Sequence, residues 1–255
     1  MVRKVVVVTG SASGMGLATA TSLASSGAHL ALWDINSSKL KEIAKSFKAQ
    51  YSGKILAQTV DVSDRSAVKA ALIEAQHHLG PINAIANFAG TGGHQLGVEP
   101  IWETSNEEFE FITNLNIRGL FNILGEALTP GFLGELQSIV HIASMFGTRG
   151  YKNGAVFAAS KHAAVGMVKS AALEVGSRGH PSELHSTVCF PTILPYFVMK
   201  LTKYIVDLST HLCFIKSEKT PVCLPPHQIR RFLGLVNLRK LQALQYSYWV
   251  TRVVM

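Results

Sequence analysis

The glycine-rich segment Thr9–Gly16 constrains the fold of this chain more than any other feature. It follows Val5–Val8, a continuous run of β-branched residues that is typical of a strand buried on both faces. A helical pattern over about Gly14–Ser26 comes directly after it. A strand, a glycine turn and a helix in this order predict the opening of a parallel βαβ unit.

Strand and helix patterns continue to alternate along residues 1–190. Their order predicts a doubly wound parallel sheet of the Rossmann-like α/β class, in three layers with helices on both faces. We expect the third helix to be capped by Ser63 or Asp64. The further predicted strands are Ala28–Trp33, Ile55–Val60, Ile82–Asn87, Ser138–Ala143 and Glu183–Phe190. The further helices are Ser37–Ala49, Asp64–Leu79, Glu107–Leu128 (one long helix or two joined) and Ala155–Val175.

The first loop and the end of the second strand form a candidate dinucleotide site. The loop glycines permit a tight turn, and the following helix offers free N–H groups and a positive dipole end to a pyrophosphate. Asp34 can accept hydrogen bonds from a ribose 2′-hydroxyl and repel a 2′-phosphate. NAD(H) is therefore favoured over NADP(H), although Lys39 or Lys41 can weaken this preference. The candidate cofactor-binding residues here are Gly10, Ser13, Gly14, Met15, Gly16 and Asp34.

The ends of the third and fourth strands extend this site. Asp61 and Val62 offer a short polar side chain and a main-chain group to an adenine, and Asp61 can equally serve the start of the next helix. Asn87, Ala89 and Gly90 end the fourth strand, where small residues let a cofactor lie against the backbone.

A candidate reaction centre follows the fifth strand. Ser144 lies at its carboxyl end, and a glycine-rich loop leads from there into the next helix. On that helix Phe157 and Lys161 are four residues apart, so their side chains point the same way. A serine facing a lysine is suited to catalysis, but the phenyl ring between them has no proton to donate.

Length and composition limit the remaining possibilities. A chain of 255 residues, 47% apolar and 16% charged, is typical of one soluble globular domain. No apolar run reaches the roughly 18 residues of a membrane span, and we expect no membrane partner. The N-terminus lacks a signal-peptide pattern, and the three cysteines lack metal-ligand spacing, so we expect a cytoplasmic protein with no metal site.

Most of the excess positive charge lies in the last part of the chain. The net charge is +8, yet residues 1–195 hold 15 Lys/Arg against 14 Asp/Glu, and residues 196–255 hold 9 against 2. A basic tail alone does not favour nucleic-acid binding. We therefore divide the chain into a core over 1–192 and a divergent basic tail over 193–255 within the same domain. In this tail Gln228–Leu244 predicts an amphipathic helix, docked on the surface or binding a membrane or partner.

Together these motifs resemble the short-chain dehydrogenase/reductase family in its single-domain form. The likeness covers about residues 3–192 and implies a nicotinamide cofactor across the carboxyl ends of the strands. It also implies a secondary alcohol or ketone as small-molecule substrate and a homodimer or homotetramer. The motifs that carry it are Thr9–Gly16 as TGxxxGxG, Asp61, Asn87–Gly90, Asn116–Gly119, Ser144 and Ser160–Lys161.

The resemblance assigns catalytic roles to matching positions. Asn116 would kink the long helix and hold a water in a proton relay, and Ser144 would hydrogen-bond the substrate oxygen. Lys161 would hold the nicotinamide ribose and lower the pKa of a tyrosine four residues earlier, which is the proton donor of the family. Phe157 stands at that position here. The structural alternatives are a buried satisfied amide for Asn116, a loop cap for Ser144 and a solvated Lys161.

Phe157 leaves three functions open. They are an oxidoreductase with an impaired or rewired proton relay, a non-redox isomerase or cyclase on the same scaffold, and a non-catalytic NAD(P)(H)-binding protein. Tyr151 could replace the missing donor only if its loop folded back. The substrate pocket is expected between 91–98, 145–151 and the tail. A bulky apolar substrate is indicated by Phe88, Trp102, Phe146, Tyr151 and Tyr196, although most of these residues could equally belong to the core.

The tail also departs from the family. Pro191-Thr192 replaces the usual Pro-Gly, and no counterpart of the last strand is found, so we expect that strand to be missing. Residues from about His180 either arose by a frame change or altered splicing or form a genuinely divergent lid.

Overall fold

The described residues form one seven-stranded sheet. The computed structural model describes residues 4–129, 132 and 138–176, together with the backbone of 183–187 and 250–253. The strand order is β3-β2-β1-β4-β5-β6-β7, with β1 to β6 parallel and β7 antiparallel to β6. The strands are β1 Val5–Thr9, β2 His29–Asp34, β3 Ile55–Thr59, β4 Ala84–Asn87, β5 Ser138–Ile142, β6 Glu183–Thr187 and β7 Val250–Val253.

Helices connect the strands as the alternating pattern predicted. Asp64, one of the two predicted caps, accepts hydrogen bonds from the N–H groups of Ser66 and Ala67 at the start of the third helix. Of the two alternatives for Glu107–Leu128, the structure has two α-helices, joined by a π-helical segment, Asn114–Arg118. The helices are α1 Gly14–Ser25, α2 Ser37–Gln50, α3 Arg65–Leu79, α4 Asn106–Thr113, α5 Gly119–Ala127 and α6 Ala155–Gly176, with a 3₁₀ turn at Met145–Gly147.

The sheet separates two hydrophobic cores, which confirms the three-layer prediction. Val5 and Val7 of β1 pack with residues of α3, α5 and α6 on one face. Val6 and Val8 pack with residues of α1 and α2 on the other. All five residues of β1 are buried, as the continuous β-branched run predicted.

The strand order places the candidate site at a switch point. From β1 the chain proceeds outward to β2 and β3, then crosses back to β4 on the other side of β1. The connections therefore leave β1 and β4 in opposite directions, which opens a crevice at their carboxyl ends. The predicted site residues on these two strands lie at this edge.

The expectation of a missing last strand is wrong. Val250–Val253 pairs antiparallel with β6, and Val250 is the register partner of Thr187. This segment, Val-Thr-Arg-Val, is rich in β-branched residues that favour a strand. A run of four residues is too short for its periodicity to distinguish a strand from other structure. The rest of the tail, including the predicted helix Gln228–Leu244, lies outside the described residues. Within the described residues, no helix is long and apolar enough to cross a membrane.

Candidate active site

The glycine loop after β1 forms a close-packed cradle. A Cβ atom on Gly16 would collide with the carbonyl oxygen of Gly10, so the start of α1 requires glycine there. Gly10 has φ +63°, and a Cβ on it would lie 3.1 Å from backbone atoms of Phe88 and Ala89. The loop therefore lies against both α1 and the end of β4, and a side chain at either glycine would separate them.

The N-terminus of α1 has N–H groups that its own cap does not satisfy. Ser13 is the N-cap residue, and its side chain makes no cap hydrogen bond. By contrast, Asn36, Asp64 and Ser105 cap α2, α3 and α4 with side-chain oxygens. The helix end facing the crevice is thus available to an anionic group, as the motif predicted.

Asp34 is tied to the glycine loop. Its Oδ2 accepts a hydrogen bond from the N–H of Ala12 at 2.9 Å, and its Oδ1 accepts one from Asn36 at 2.9 Å. A carboxylate oxygen can accept more than one hydrogen bond, so these contacts position the group and leave it able to meet a ribose hydroxyl.

The end of β3 matches the structural alternative given for Asp61, and its contact with an adenine stays a prediction. Asp61 accepts hydrogen bonds from the N–H and hydroxyl of Ser63, and it shapes the turn before α3. The carbonyl of Val62 accepts a hydrogen bond from Asn122 Nδ2 at 2.9 Å, as does the carbonyl of Ser63. Sequence reasoning missed Asn122, although an asparagine within an apolar helical run is a signal for such a buried contact.

Asn87 and Thr9 join β4 to β1. Thr9 Oγ1 donates a hydrogen bond to Asn87 Oδ1 at 2.6 Å and accepts from the N–H groups of Phe88 and Ala89 at 3.1 and 2.9 Å. Thr9 thereby fixes the backbone of Phe88 and Ala89, against which the predicted cofactor would lie. Thr9 begins the glycine motif, but the local sequence does not reveal this contact with β4.

Gly90, Asn116 and Lys161 meet beyond the end of β4. A Cβ on Gly90 would lie 3.1 Å from Asn116 Oδ1 and 3.6 Å from Lys161 Nζ. The structure therefore brings together one residue from each of three motifs that are distant in sequence. A larger residue at position 90 would displace the side chains that the prediction assigned to catalysis.

Asn116 lies in the π-helical segment, where the prediction expected a kink. Its Oδ1 accepts from the N–H of Thr91 at 2.8 Å, and its Nδ2 donates to the carbonyl of Thr91 and to Ser160 Oγ. These contacts match the alternative of a buried, satisfied amide. A role in a proton relay stays a prediction.

Ser144 and Lys161 lie at the carboxyl end of β5. Ser144 Oγ accepts a hydrogen bond from the N–H of Phe146 at 3.2 Å, so the hydroxyl caps the 3₁₀ turn. Lys161 Nζ donates to the carbonyl of Ile142 at 3.0 Å, and the residue is only 7% exposed. Burial lowers the pKa of Lys161 to about 8. The alternative of a solvated surface lysine is therefore wrong.

Aromatic rings surround the position of the missing proton donor. The Phe157 ring centroid lies 5.9 Å from Lys161 Nζ and 6.4 Å from the ring of Phe146. Tyr151 stacks on Phe146 with centroids 4.2 Å apart. Its hydroxyl lies beside Gly97, where a Cβ would come within 3.0 Å of it. Tyr151 thus contacts the loop over 91–98 and does not take the place of the family tyrosine.

A small cavity opens against Phe157. Leu96, Ile112 and Val156 contribute apolar walls, and Gln95 and Glu108 contribute polar ones. The His94 imidazole pairs with Glu108 at 2.7 Å and holds the loop over this cavity.

Two of the predicted pocket aromatics lie elsewhere. Trp102 is 82% exposed. Phe88 packs against the core formed by α1 and α2, because its side chain points away from the Asn87 face of the sheet. Tyr196 lies outside the described residues.

The sequence of this chain matches known proteins over the region that contains the candidate site. Residues 4–193 match the family model described as short chain dehydrogenase. The chain is 36% identical over 176 residues to the short-chain dehydrogenase/reductase aba4 of Botryotinia fuckeliana, covering 69% of this chain and 67% of that protein. It is 35% identical over 179 residues to levodione reductase of Leifsonia aquatica, covering 69% and 65%.

Solved structures share the fold and hold nicotinamide cofactors. A short-chain dehydrogenase/reductase from Burkholderia phymatum in complex with NAD has a TM-score of 0.66 and 25% identity, covering 72% of this chain and 64% of that one. Actinorhodin polyketide ketoreductase with NADPH has a TM-score of 0.63 and 26% identity, covering 73% and 68%. The matched region spans about two thirds of the length of these relatives. By sequence and by fold, the chain belongs to the short-chain dehydrogenase/reductase family of oxidoreductases.

Proposed function

We propose that this chain is a NAD(H)-dependent oxidoreductase that interconverts a secondary alcohol and a ketone with slow proton transfer. The observation that carries the proposal is the buried Lys161 ammonium, held by Ile142 beside Gly90 and Asn116. Burying a cation costs free energy, so a lysine kept at this edge of the sheet favours a role toward a bound ligand.

The residues at the crevice fit a nicotinamide dinucleotide. The glycine cradle and the N–H groups at the start of α1 would hold the pyrophosphate, and Asp34 would accept from the adenosine ribose. Residues 35–37 are Ile, Asn and Ser, so no arginine there offers a partner to a 2′-phosphate. This combination supports NAD(H) over NADP(H). A bound nicotinamide supplies the hydride in reduction and accepts it in oxidation.

The side chains of this chain provide orientation and charge. Ser144 Oγ accepts from Phe146, which leaves the hydroxyl proton free for a substrate oxygen. The Lys161 ammonium stabilises negative charge that develops nearby. Phe157 donates no proton, so the nascent alkoxide receives its proton from Ser144 or from water. Losing a positioned general acid lowers a rate by about 10²–10⁴-fold.

The same phenyl ring favours a second candidate. A chain that binds NAD(H) without any hydride transfer would keep the cradle, Asp34 and Lys161 and have no use for a phenol at position 157. It would act as a non-catalytic binding protein, or as a non-redox isomerase or cyclase.

Parallel assays of NADH binding and NADH oxidation test the proposal. Wild type and Phe157→Tyr would be titrated with NADH by fluorescence and assayed with a panel of bulky apolar ketones. We expect both to bind NADH and the variant to oxidise it about 10²–10⁴-fold faster. Phe146→Tyr, one ring further from Lys161, is the matched control for adding a phenol.

Three outcomes would contradict parts of this proposal. Wild-type turnover equal to that of Phe157→Tyr would show that the proton comes efficiently from another group. Binding without turnover in both proteins would support the second candidate. The absence of NADH and NADPH binding would overturn the cofactor assignment itself.

Assembly and location follow as further parts of the proposal. We propose a homodimer or homotetramer in the cytoplasm, acting on a bulky apolar small molecule. Phe109 of α4, Phe121 of α5 and Leu173 of α6 are each at least half exposed, which supports a contact between copies. Light scattering on the eluting protein would measure its mass, and a monomer at micromolar concentration would contradict this part.

A further inference from the structure

A buried histidine stands in line with the cofactor-binding strand ends. His141 of β5 is 1% exposed, and it is the register partner of Asn87, which is in turn the register partner of Thr9. Register partners in a sheet point to the same face, so these three side chains form a row across β1, β4 and β5. Sequence reasoning gave His141 no role.

The hydrogen bonds of this row determine where each proton lies. Thr9 Oγ1 accepts two backbone N–H groups, so both of its lone pairs are used and its own proton goes to Asn87 Oδ1. The Asn87 amide nitrogen then faces His141 Nδ1 at 3.0 Å and must donate to it. Nδ1 therefore carries no proton, and the imidazole proton is on Nε2.

The same count of donors and acceptors excludes the arrangement in which the amide oxygen and nitrogen of Asn87 exchange places. It would direct the Asn87 amide nitrogen at Thr9 Oγ1, which would then face three donors. The hydroxyl proton of Thr9 would lose its acceptor at Asn87, and both changes are unfavourable in a buried network.

The surroundings keep His141 neutral. Burial, followed by the positive charge of Lys161, holds the pKa of His141 well below its usual value. Nε2 has no hydrogen-bond partner among the described residues. Its bond to Asn87 is therefore the polar contact through which this histidine acts.

We propose that His141 is a positioning residue: its neutral imidazole, protonated on Nε2, fixes the Asn87 amide and through Thr9 the backbone of Phe88 and Ala89. This backbone is the surface on which the cofactor lies in the proposed function, and the inference rests on that function. His141 touches no reacting atom and acts through two other side chains.

Three variants separate this role from simple packing. His141→Leu keeps an apolar bulk and removes the acceptor, and we expect NADH to bind about three- to tenfold more weakly. His141→Asn places Oδ1 as many bonds from Cα as Nδ1, so we expect an affinity within about twofold of wild type. Ile139→Val, one residue pair earlier on the same buried face of β5, is the matched control and should leave the dissociation constant unchanged.

A second measurement reads the proton directly. In the ¹⁵N NMR spectrum of histidine-labelled wild type, the signals absent from His141→Asn identify His141 among the 10 histidines. We expect an unprotonated Nδ1 and a protonated Nε2, with no need for cofactor.

Each outcome decides the proposal. A protonated Nδ1 in wild type overturns it, and so does a folded His141→Leu protein with wild-type NADH affinity. If His141→Leu does not fold, the tautomer and the His141→Asn affinity decide. If wild type binds neither NADH nor NADPH, the proposed function fails, and the tautomer still tests the Thr9–Asn87–His141 bond arrangement.

Discussion

Replacing Lys161 by methionine should make the protein more stable at neutral pH. Burial lowers the pKa of Lys161 from 10.5 to about 8, and at about 1.36 kcal/mol per unit this corresponds to about 3 kcal/mol of unfavourable free energy at pH 7. Methionine carries no charge but loses the hydrogen bond to the Ile142 carbonyl, which is worth about 1.5–3 kcal/mol. We expect a net gain of about 1 kcal/mol, together with weaker NADH binding.

The pH dependence isolates the charge from the packing. Between about pH 8 and 10.5 the unfolded chain keeps the lysine proton and the folded chain releases it, so wild-type stability rises with pH through this window. The variant lacks this titration. From the two pKa values, the free energy of unfolding of wild type should rise by about 1 kcal/mol relative to that of the variant between pH 7 and pH 9.

Urea unfolding at both pH values measures this difference. Lys169→Met is the matched control, because Lys169 lies on the exposed side of the same helix. We expect the difference in free energy of unfolding between wild type and Lys161→Met to be smaller at pH 9 than at pH 7. The difference between wild type and Lys169→Met should be the same at both pH values. An equal difference in free energy of unfolding between wild type and Lys161→Met at both pH values would refute the reasoning that burial lowers the pKa of this lysine.

Three further changes test the site. Gly16→Ala places a methyl group against the Gly10 carbonyl and should weaken NADH binding at least about tenfold. The added methyl group of Gly14→Ala meets open space and should cost only about 1 kcal/mol of backbone strain. Fluorescence titration and urea unfolding compare the two variants, and equal effects on NADH binding would contradict the close packing proposed for the glycine loop. Asp34→Ser should lower the preference for NADH over NADPH by about tenfold in competition titrations, and an unchanged ratio would remove Asp34 from cofactor selection. Asn122→Leu leaves the carbonyls at 62 and 63 without their donor and should lower the free energy of unfolding by about 1–3 kcal/mol in urea; a wild-type midpoint would show that water replaces the amide.

Local patterns were sufficient to predict the sheet and the glycine cradle. The β-branched run at Val5–Val8 and the glycines after it determine a buried strand and a turn from neighbouring residues alone. The contacts of Thr9, Asn122 and His141 join residues 54 to 80 positions apart, so no local period reveals them. A polar residue in an apolar run indicates that a partner exists, but only the strand order shows which one it is.

The prediction that Phe88 and Trp102 line the substrate pocket failed for a related reason. Sequence distance placed Phe88 and Trp102 near the site, but a strand alternates its faces and the side chain of Phe88 points into the α1 and α2 core. Trp102 lies in a loop, where no period predicts which side chains face solvent.

Phe157 and Lys161 form a cation–aromatic pair. A phenyl face attracts a cation, and the 5.9 Å separation is within the range where this stabilises the ammonium by about 0.5–2 kcal/mol. That contribution is smaller than the roughly 3 kcal/mol that burial of Lys161 costs. The ring and the hydrogen bond to the Ile142 carbonyl each offset part of this cost, and a bound anionic or polar ligand would stabilise the ammonium further. Cofactor binding should accordingly raise the pKa of Lys161 even in a chain whose hydride transfer is slow, and proton uptake on NADH binding near pH 8 would measure it.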